Sequence, residues 1–196
     1  MPRIVETIVT TMSETGEVHV APLGLIQDGD HWIIGPFKPS RTIDNLRANP
    51  FAVASHTDDV RVFAGCVTGR KSWPTVPATK IKGGRLATCL AHWELKVERI
   101  LEDDLRPKFL CKIVYQEQHK AWEGFNRAEA AVLELAVLTT RLSMLPPEKV
   151  ENELKYLEIA ITKTAGAREV EAWGWLMKKI EAWRATSPRA PADGKR

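Results

Sequence analysis

The chain has 196 residues, a formal net charge of +3 and apolar and charged fractions ordinary for a globular protein. That length buries a core without disulfides or metals, and the weak charge argues against a general nucleic-acid binder, which needs a concentrated basic surface. The three cysteines, Cys66, Cys89 and Cys111, are odd in number and form no Cys-x-x-Cys pair, so reduced thiols are expected, with no zinc site or other metal.

At the N-terminus, Glu6 interrupts any apolar run, and no stretch reaches bilayer length; the pattern predicts a cytoplasmic protein without signal peptide or membrane span. The first third reads as β-structure. Ile4, Val5, Thr7, Ile8, Val9 and Thr10 are β-branched and suit a pleated strand. Ser13-Glu14-Thr15-Gly16 is a turn signal, a second strand follows from Val18 to Ile26, and Asp28-Gly29-Asp30 is a tight hairpin turn into Trp32-Ile33-Ile34. Three strands with short turns predict an antiparallel meander. Ser40 or Thr42 then caps a short helix through Ile43 and Leu46, which stops near Asn49-Pro50. Phe51-Ala52-Val53-Ala54-Ser55 is a fourth strand.

Residues 60–67 fit either a strand or a helical turn. Residues 70–85 contain Pro74, Pro77, Gly83 and Gly84 and read as an excursion; they carry Arg70, Lys71, Lys80, Lys82 and Arg85 and no acid. Residues 86–101 and 106–116 read as two long strands that close a barrel.

The last third turns helical. Ala128, Ala131, Val132, Leu135, Leu138 and Leu142 repeat at helical spacing. Pro146-Pro147 ends that helix and starts the next, whose stripe is Val150, Leu154, Leu157 and Ile161. Gly166 precedes a third helix with Val170, Trp173, Leu176, Met177, Ile180 and Trp183 on one side. Strands followed by helices predict an α+β fold. The expected divisions are a barrel core over residues 1–122, helices packed on it over 123–185, and a disordered tail over 186–196.

Several segments bear on chemistry. Ser40-Arg41-Thr42 sets two hydroxyls and a guanidinium at a helix start, where free N–H groups and the dipole favour an anion and the arginine fork suits phosphate. A plain N-cap beside a solvated arginine has the same spacing. Asn126 and Glu129 resemble a capping box. Arg127 then sits in the first turn, where a cation is unfavourable, so it either faces an anion or pairs with Glu123 or Glu129. Pro22 and Gly24 inside a strand mark either an edge read by a ligand or a bulge. His56-Thr57-Asp58-Asp59 reads as a polar turn without a ligand-spaced partner. His19 and His92 are the candidate general acids, and no residue is nominated as catalytic beyond them. Trp73, Trp93 and Trp122 are candidates for stacking on a planar ligand, whereas Trp173, Trp175 and Trp183 are expected to pack helices.

Taken together, Ile4-Val5-Glu6-Thr7-Ile8-Val9-Thr10-Thr11, His19-Val20-Ala21-Pro22-Leu23-Gly24, Ser40-x-Thr42-x-x-Asn45-Leu46, Thr57-Asp58-Asp59-Val60, Phe125-Asn126-Arg127-Ala128 and Ala136-Val137-Leu138-Thr139-Thr140-Arg141-Leu142 resemble the DUF447 family. That family is similar to the FMN-binding split-barrel flavoproteins. The resemblance implies an antiparallel split β-barrel with a C-terminal helical segment, FMN as cofactor, and a homodimer with flavin near the subunit interface. It implies Pro22, Leu23 and Gly24 along the isoalloxazine, Ser40, Arg41 and Thr42 on the phosphate with Asn45, and Asn126 and Arg127 close to the flavin. Leu23 replaces a frequent methionine, and His56 stands where asparagine is expected. The implied activity is an oxidoreductase acting on a small molecule, associated with methanopterin-type one-carbon metabolism. The alternatives are a non-catalytic flavin carrier, sensor or assembly protein, or an interaction protein docking through its C-terminal helices.

Overall fold

The computed structural model describes residues 2–186. Strands β1 (Ile4–Met12), β2 (Val18–Asp28) and β3 (His31–Ile34) are followed by helix α1 (Arg41–Ala48), β4 (Phe51–His56) and helix α2 (Val60–Val67). A short hairpin, β5 (Thr75–Pro77) and β6 (Gly84–Leu86), precedes the long strands β7 (Ala91–Leu101) and β8 (Lys108–Gln118). Helices α3 (Arg127–Thr139), α4 (Pro147–Thr164) and α5 (Ala167–Thr186) complete the described chain. The chain divides into two compact units, Met1–Phe125 and Asn126–Arg196.

Six strands close a barrel in the order β1-β2-β3-β8-β7-β4, with every pairing antiparallel. The expected α+β class and antiparallel barrel are therefore observed. Alternation along the strands fills the interior: Val9, Leu25, Trp32, Ile34, Ala52, Ala54, Leu95, Phe109 and Cys111 form one cluster. Ile43 and Leu46 of α1 join it, because a helical spacing of three puts both on one face.

Four sequence readings are resolved or corrected. Residues 60–67 are helical: Asp59 caps α2 by accepting the Arg61 N–H at 3.2 Å, and its carboxylate also grips the Arg61 guanidinium at 2.7 and 2.8 Å. The strand expected from residue 86 begins at Ala91, since Leu86 ends the β5–β6 hairpin that the excursion contains. The buried stripe of α5 is Glu169, Ala172, Leu176 and Ile180, while Val170 is 56% exposed; a step of three or four residues from Ala172 excludes position 170. Helix α5 runs through Thr186, the first residue of the expected tail, and the rest of that tail, residues 187–196, lies outside the described residues. No described helix is long and apolar enough to cross a membrane.

Candidate functional site

The start of α1 is organised by Ser40. Its extended backbone makes it the N-cap, and its Oγ accepts the Thr42 N–H at 3.2 Å. Ile43 N–H is bonded to the Ser40 carbonyl at 3.0 Å. Two of the first-turn N–H groups expected to face an anion are thus occupied within the helix. A hydroxyl that accepts still has its own proton to donate, so Ser40 retains a hydrogen bond for a ligand. Thr42 is buried, and Asn45 is buried with its Nδ2 donating to Thr11 Oγ1 at 3.0 Å, a tie between α1 and β1.

Arg41 is exposed and pairs with Glu17 at 3.3 Å. A surface pair of this kind holds its partner by only about 0–1 kcal/mol, so the guanidinium is available to a stronger anion. His19, on β2, lies within the field of the same group. Burial holds its ring below the ordinary histidine range, and Arg41 and Lys71 add to that against the opposing effect of Glu17. The guanidinium of Arg41, in the first turn of α1, and the ammonium of Lys71 thus both act on His19 of β2, although positions 19 and 71 are far apart in sequence.

Pro22, Leu23 and Gly24 lie on β2 opposite Ile8, Thr7 and Glu6 of β1. The register runs unbroken through them, so the bulge reading does not hold. Only Ile26, Gln27 and Asp28 of β2 pair with β3. Among the described residues, then, the second edge of β2 from Val18 to Leu25 has no strand partner, which suits a proline. The close approach that Gly24 permits is made by β1: a Cβ there would stand 2.8 Å from Ile4 Cγ2. Asn126 and Arg127 belong to the second unit. Asn126 caps α3 by accepting the Ala128 N–H at 2.8 Å and donates to the Thr164 carbonyl at 3.3 Å; Arg127 is exposed.

Each of the tryptophans proposed for stacking contacts another part of the chain. A Cβ on Gly65 would stand 2.3 Å from Trp73 Cζ2, so the indole packs against α2 at a point where only glycine leaves room. Trp93 contacts Trp32 at 4.8 Å and His56 at 4.4 Å between ring centroids, and Trp122 contacts Phe125 at 4.7 Å. His56, which replaces the expected asparagine, has a buried Nε2 without a hydrogen-bond partner.

A second polar group stands on the outer face of β7. His92 and Glu94 are fully buried there beneath the segment that holds β5 and β6. Glu94 accepts the backbone N–H groups of Thr79, Lys80 (2.8 Å) and Ile81 (3.0 Å), and the His92 Nε2 at 3.2 Å. Burial raises its carboxyl, but these donors outweigh that and hold it below the ordinary carboxylate range. His92 Nδ1 lies within hydrogen-bond distance of His119 Nε2, 2.9 Å away, with the two ring planes only 9° apart. Sequence reading singled out His92 but missed Glu94, Glu117 and His119. The signal was present as two i, i+2 pairs, His92-x-Glu94 and Glu117-x-His119, on strands that turn out to be neighbours.

The sequence matches the N-terminal domain described as "Protein of unknown function (DUF447)" over residues 5–120 and the companion C-terminal domain over residues 126–178. The chain belongs to the DUF447 family. The two matched segments fall on either side of the boundary between the compact units. Among solved structures, the FMN-bound DUF447 protein MM1853 from Methanosarcina mazei is similar at 20% identity and a TM-score of 0.77, with 91% of this chain and 96% of that one covered. The 2-nitrobenzoate 2-nitroreductase NbaA of Pseudomonas fluorescens is 19% identical with a TM-score of 0.51, covering 61% of this chain and 66% of that one. A flavoredoxin from Methanosarcina acetivorans is 17% identical with a TM-score of 0.50, covering 61% and 69%. These likenesses establish the fold that this DUF447 chain shares with flavin-binding split barrels. No curated protein sequence matches the chain.

Proposed function

We propose that this chain binds FMN with its phosphate at the start of α1 and uses the flavin as an oxidoreductase acting on a small molecule. The observation that carries the reading is the cationic, hydroxyl-bearing start of α1, in a chain whose fold matches an FMN-bound member of its own family over 91% of its length. Flavin supplies one- or two-electron redox chemistry when bound. In this reading Ser40 donates its hydroxyl proton to the phosphate, and Arg41 exchanges Glu17 for it. The edge of β2 at Pro22, Leu23 and Gly24 that has no strand partner among the described residues lines the ring. A second copy of the chain completes the site at that edge.

The first measurement is the visible absorption of the purified protein before and after adding FMN. A bound flavin spectrum, released as FMN on denaturation, is expected; a colourless protein that ignores added FMN overturns the proposal. The variant Ser40→Ala/Arg41→Ala should weaken FMN binding by about 1.5–3 kcal/mol for each charge-assisted bond removed. Reduction by NADH or NADPH followed by turnover separates the enzyme from a flavin carrier. The family resemblance puts pterin-type one-carbon carriers among the first acceptors to try, and light scattering reads the dimer.

A further inference from the structure

The polar group outside β7 has the makings of a metal centre. His92 on β7 stands directly opposite Glu117 on β8. His119 follows one pleat further on, its backbone N–H tied to the Leu90 carbonyl at 2.7 Å. One ligand atom from each of His92, Glu117 and His119 lies within 4.8 Å of the other two. His92 Nδ1 and His119 Nε2 stand 2.9 Å apart, and Glu117 offers a carboxylate oxygen. Tyr115 donates to Glu117 Oε2 at 3.2 Å, which turns that carboxylate and leaves its other oxygen for a ligand.

The group behind His92 decides its tautomer. An ionised carboxylate only accepts hydrogen bonds, so the contact between Glu94 and His92 Nε2 requires the ring proton on Nε2. The lone pair of His92 is then on Nδ1, directed at His119. Glu94 cannot turn away, because the N–H groups of Thr79, Lys80 and Ile81 hold both its oxygens. A buried carboxylate orienting an imidazole whose other nitrogen faces a second imidazole and a carboxylate is the outer-shell arrangement of zinc sites.

We propose that His92, His119 and Glu117 form a binding site for a divalent transition-metal ion of the zinc class. Two imidazoles and one carboxylate are a donor set that suits Zn2+, with metal–ligand bonds of about 2.0–2.2 Å. Three protein ligands leave the ion at least one position for water or another molecule. Glu117 is exposed and His119 half-buried, so that position opens to solvent. Sequence reading expected no metal because the ligands are not clustered along the chain; the β7–β8 pairing assembles them. Arg85 is the opposing charge: it lies close enough to His119 to disfavour a cation, and its side chain otherwise engages the Leu86 carbonyl and Cys89.

The test uses the full chain stripped with a chelator. Calorimetric titration with ZnCl2 should show one equivalent bound per chain. Co2+ should give the intense visible absorption of a four- or five-coordinate site, lost on adding Zn2+. Glu117→Gln and His119→Ala remove ligands at the end of a strand and should abolish saturable binding, with circular dichroism unchanged. Glu94→Gln should weaken Zn2+ by about 10–100-fold as an outer-shell change; should that variant fail to fold, the two ligand variants carry the test. Zn2+ binding of equal affinity in the Glu117→Gln/His119→Ala double variant, or a Co2+ spectrum identical to the hydrated ion, overturns the site. Neither readout involves flavin, so the result is independent of the function proposed above.

Discussion

Strand β7 buries side chains on both of its faces, and by opposite means. Toward the barrel interior, Trp93, Leu95 and Val97 join the apolar cluster with Val9, Leu25, Ile34 and Phe109. Toward the outside, His92 and Glu94 are as inaccessible as Leu95, beneath residues 79–81. Thr10 and Ser55, on the outer faces of β1 and β4, extend the same surface: Thr10 Oγ1 donates to the Gly84 carbonyl, and Ser55 Oγ accepts the Leu86 N–H at 3.1 Å. The interior is stabilised by area removed from water, about 1.5–3 kcal/mol for each large apolar side chain. That stabilisation is non-directional, so volume-conserving swaps are tolerated. The outer face gains little from area. Burying a carboxylate costs several kcal/mol unless hydrogen bonds offset it, and they form only when the excursion lies in one position. The interior makes the barrel stable, whereas the outer polar groups fix where residues 70–90 dock.

Glu94→Ala is the sharpest way to break this comparison. It strands three backbone N–H groups and the His92 ring, and the expected loss is about 3–5 kcal/mol in chemical denaturation. Its neighbour on the other face, Leu95→Ala, should cost about 2–5 kcal/mol through the cavity it leaves. The two differ in where the loss appears. Native-state hydrogen exchange should show residues 75–86 opening well before the barrel in the Glu94 variant, and uniform acceleration in the Leu95 variant. Uniform acceleration in both would mean that the excursion is part of the barrel's cooperative unit.

Much of the interior face was legible in the sequence, and little of the outer one. Alternation of β-branched residues around Ile8, and the turn at Asp28-Gly29-Asp30, announce strands because periodicity and turn chemistry are local. The Ser40 cap and the end of α1 before Pro50 are local too, and both stand where the residues place them. Residues 60–67 were ambiguous because a short, mostly apolar segment interrupted only by Arg61 fits both periods; the Asp59 cap decided it. Glu94 offered no such sign. A glutamate between Trp93 and Leu95 reads as a solvent-facing strand residue, and only the return of Thr79, Lys80 and Ile81 over β7 buries it. For the candidate site the same division holds. Ser40, Arg41 and Thr42 are contiguous and visible, while the approach of Arg41 and Lys71 to His19, like the grouping of His92 with Glu117 and His119, depends on tertiary placement.

A smaller effect should follow at Ser55, which holds β6 by one bond. Ser55→Ala orphans the Leu86 N–H at an inaccessible position, an expected loss of about 1–3 kcal/mol. Thermal denaturation reads the total. A double cycle with Glu94→Ala should show less than additive loss, because once Glu94 has released the excursion, the Ser55 bond has little left to hold. Full additivity would mean that the two contacts anchor it independently.

The cysteines report the same contrast with the least perturbation. Cys111 belongs to the barrel interior, where burial pushes its thiol up to about 12. Cys89 is buried near the end of the excursion; burial raises its thiol as well, against the pull of Arg85. The thiolate is the reactive form, so at pH 8 both residues should resist alkylation in the folded chain and react through opening. The sign follows: an unfolded thiol ionises first as pH rises, so the stability from keeping Cys111 protonated is complete below the ordinary thiol pKa of 9.0 and is lost as pH climbs toward 12. Mass spectrometry after timed alkylation at pH 8 should find Cys89 labelled before Cys111. Glu94→Ala should widen that gap by opening the excursion alone, while Leu95→Ala should narrow it by bringing the barrel's own unfolding closer. Equal labelling rates in the native chain and in both variants would show that the two faces of β7 open together, and the outer polar groups would then be part of one core.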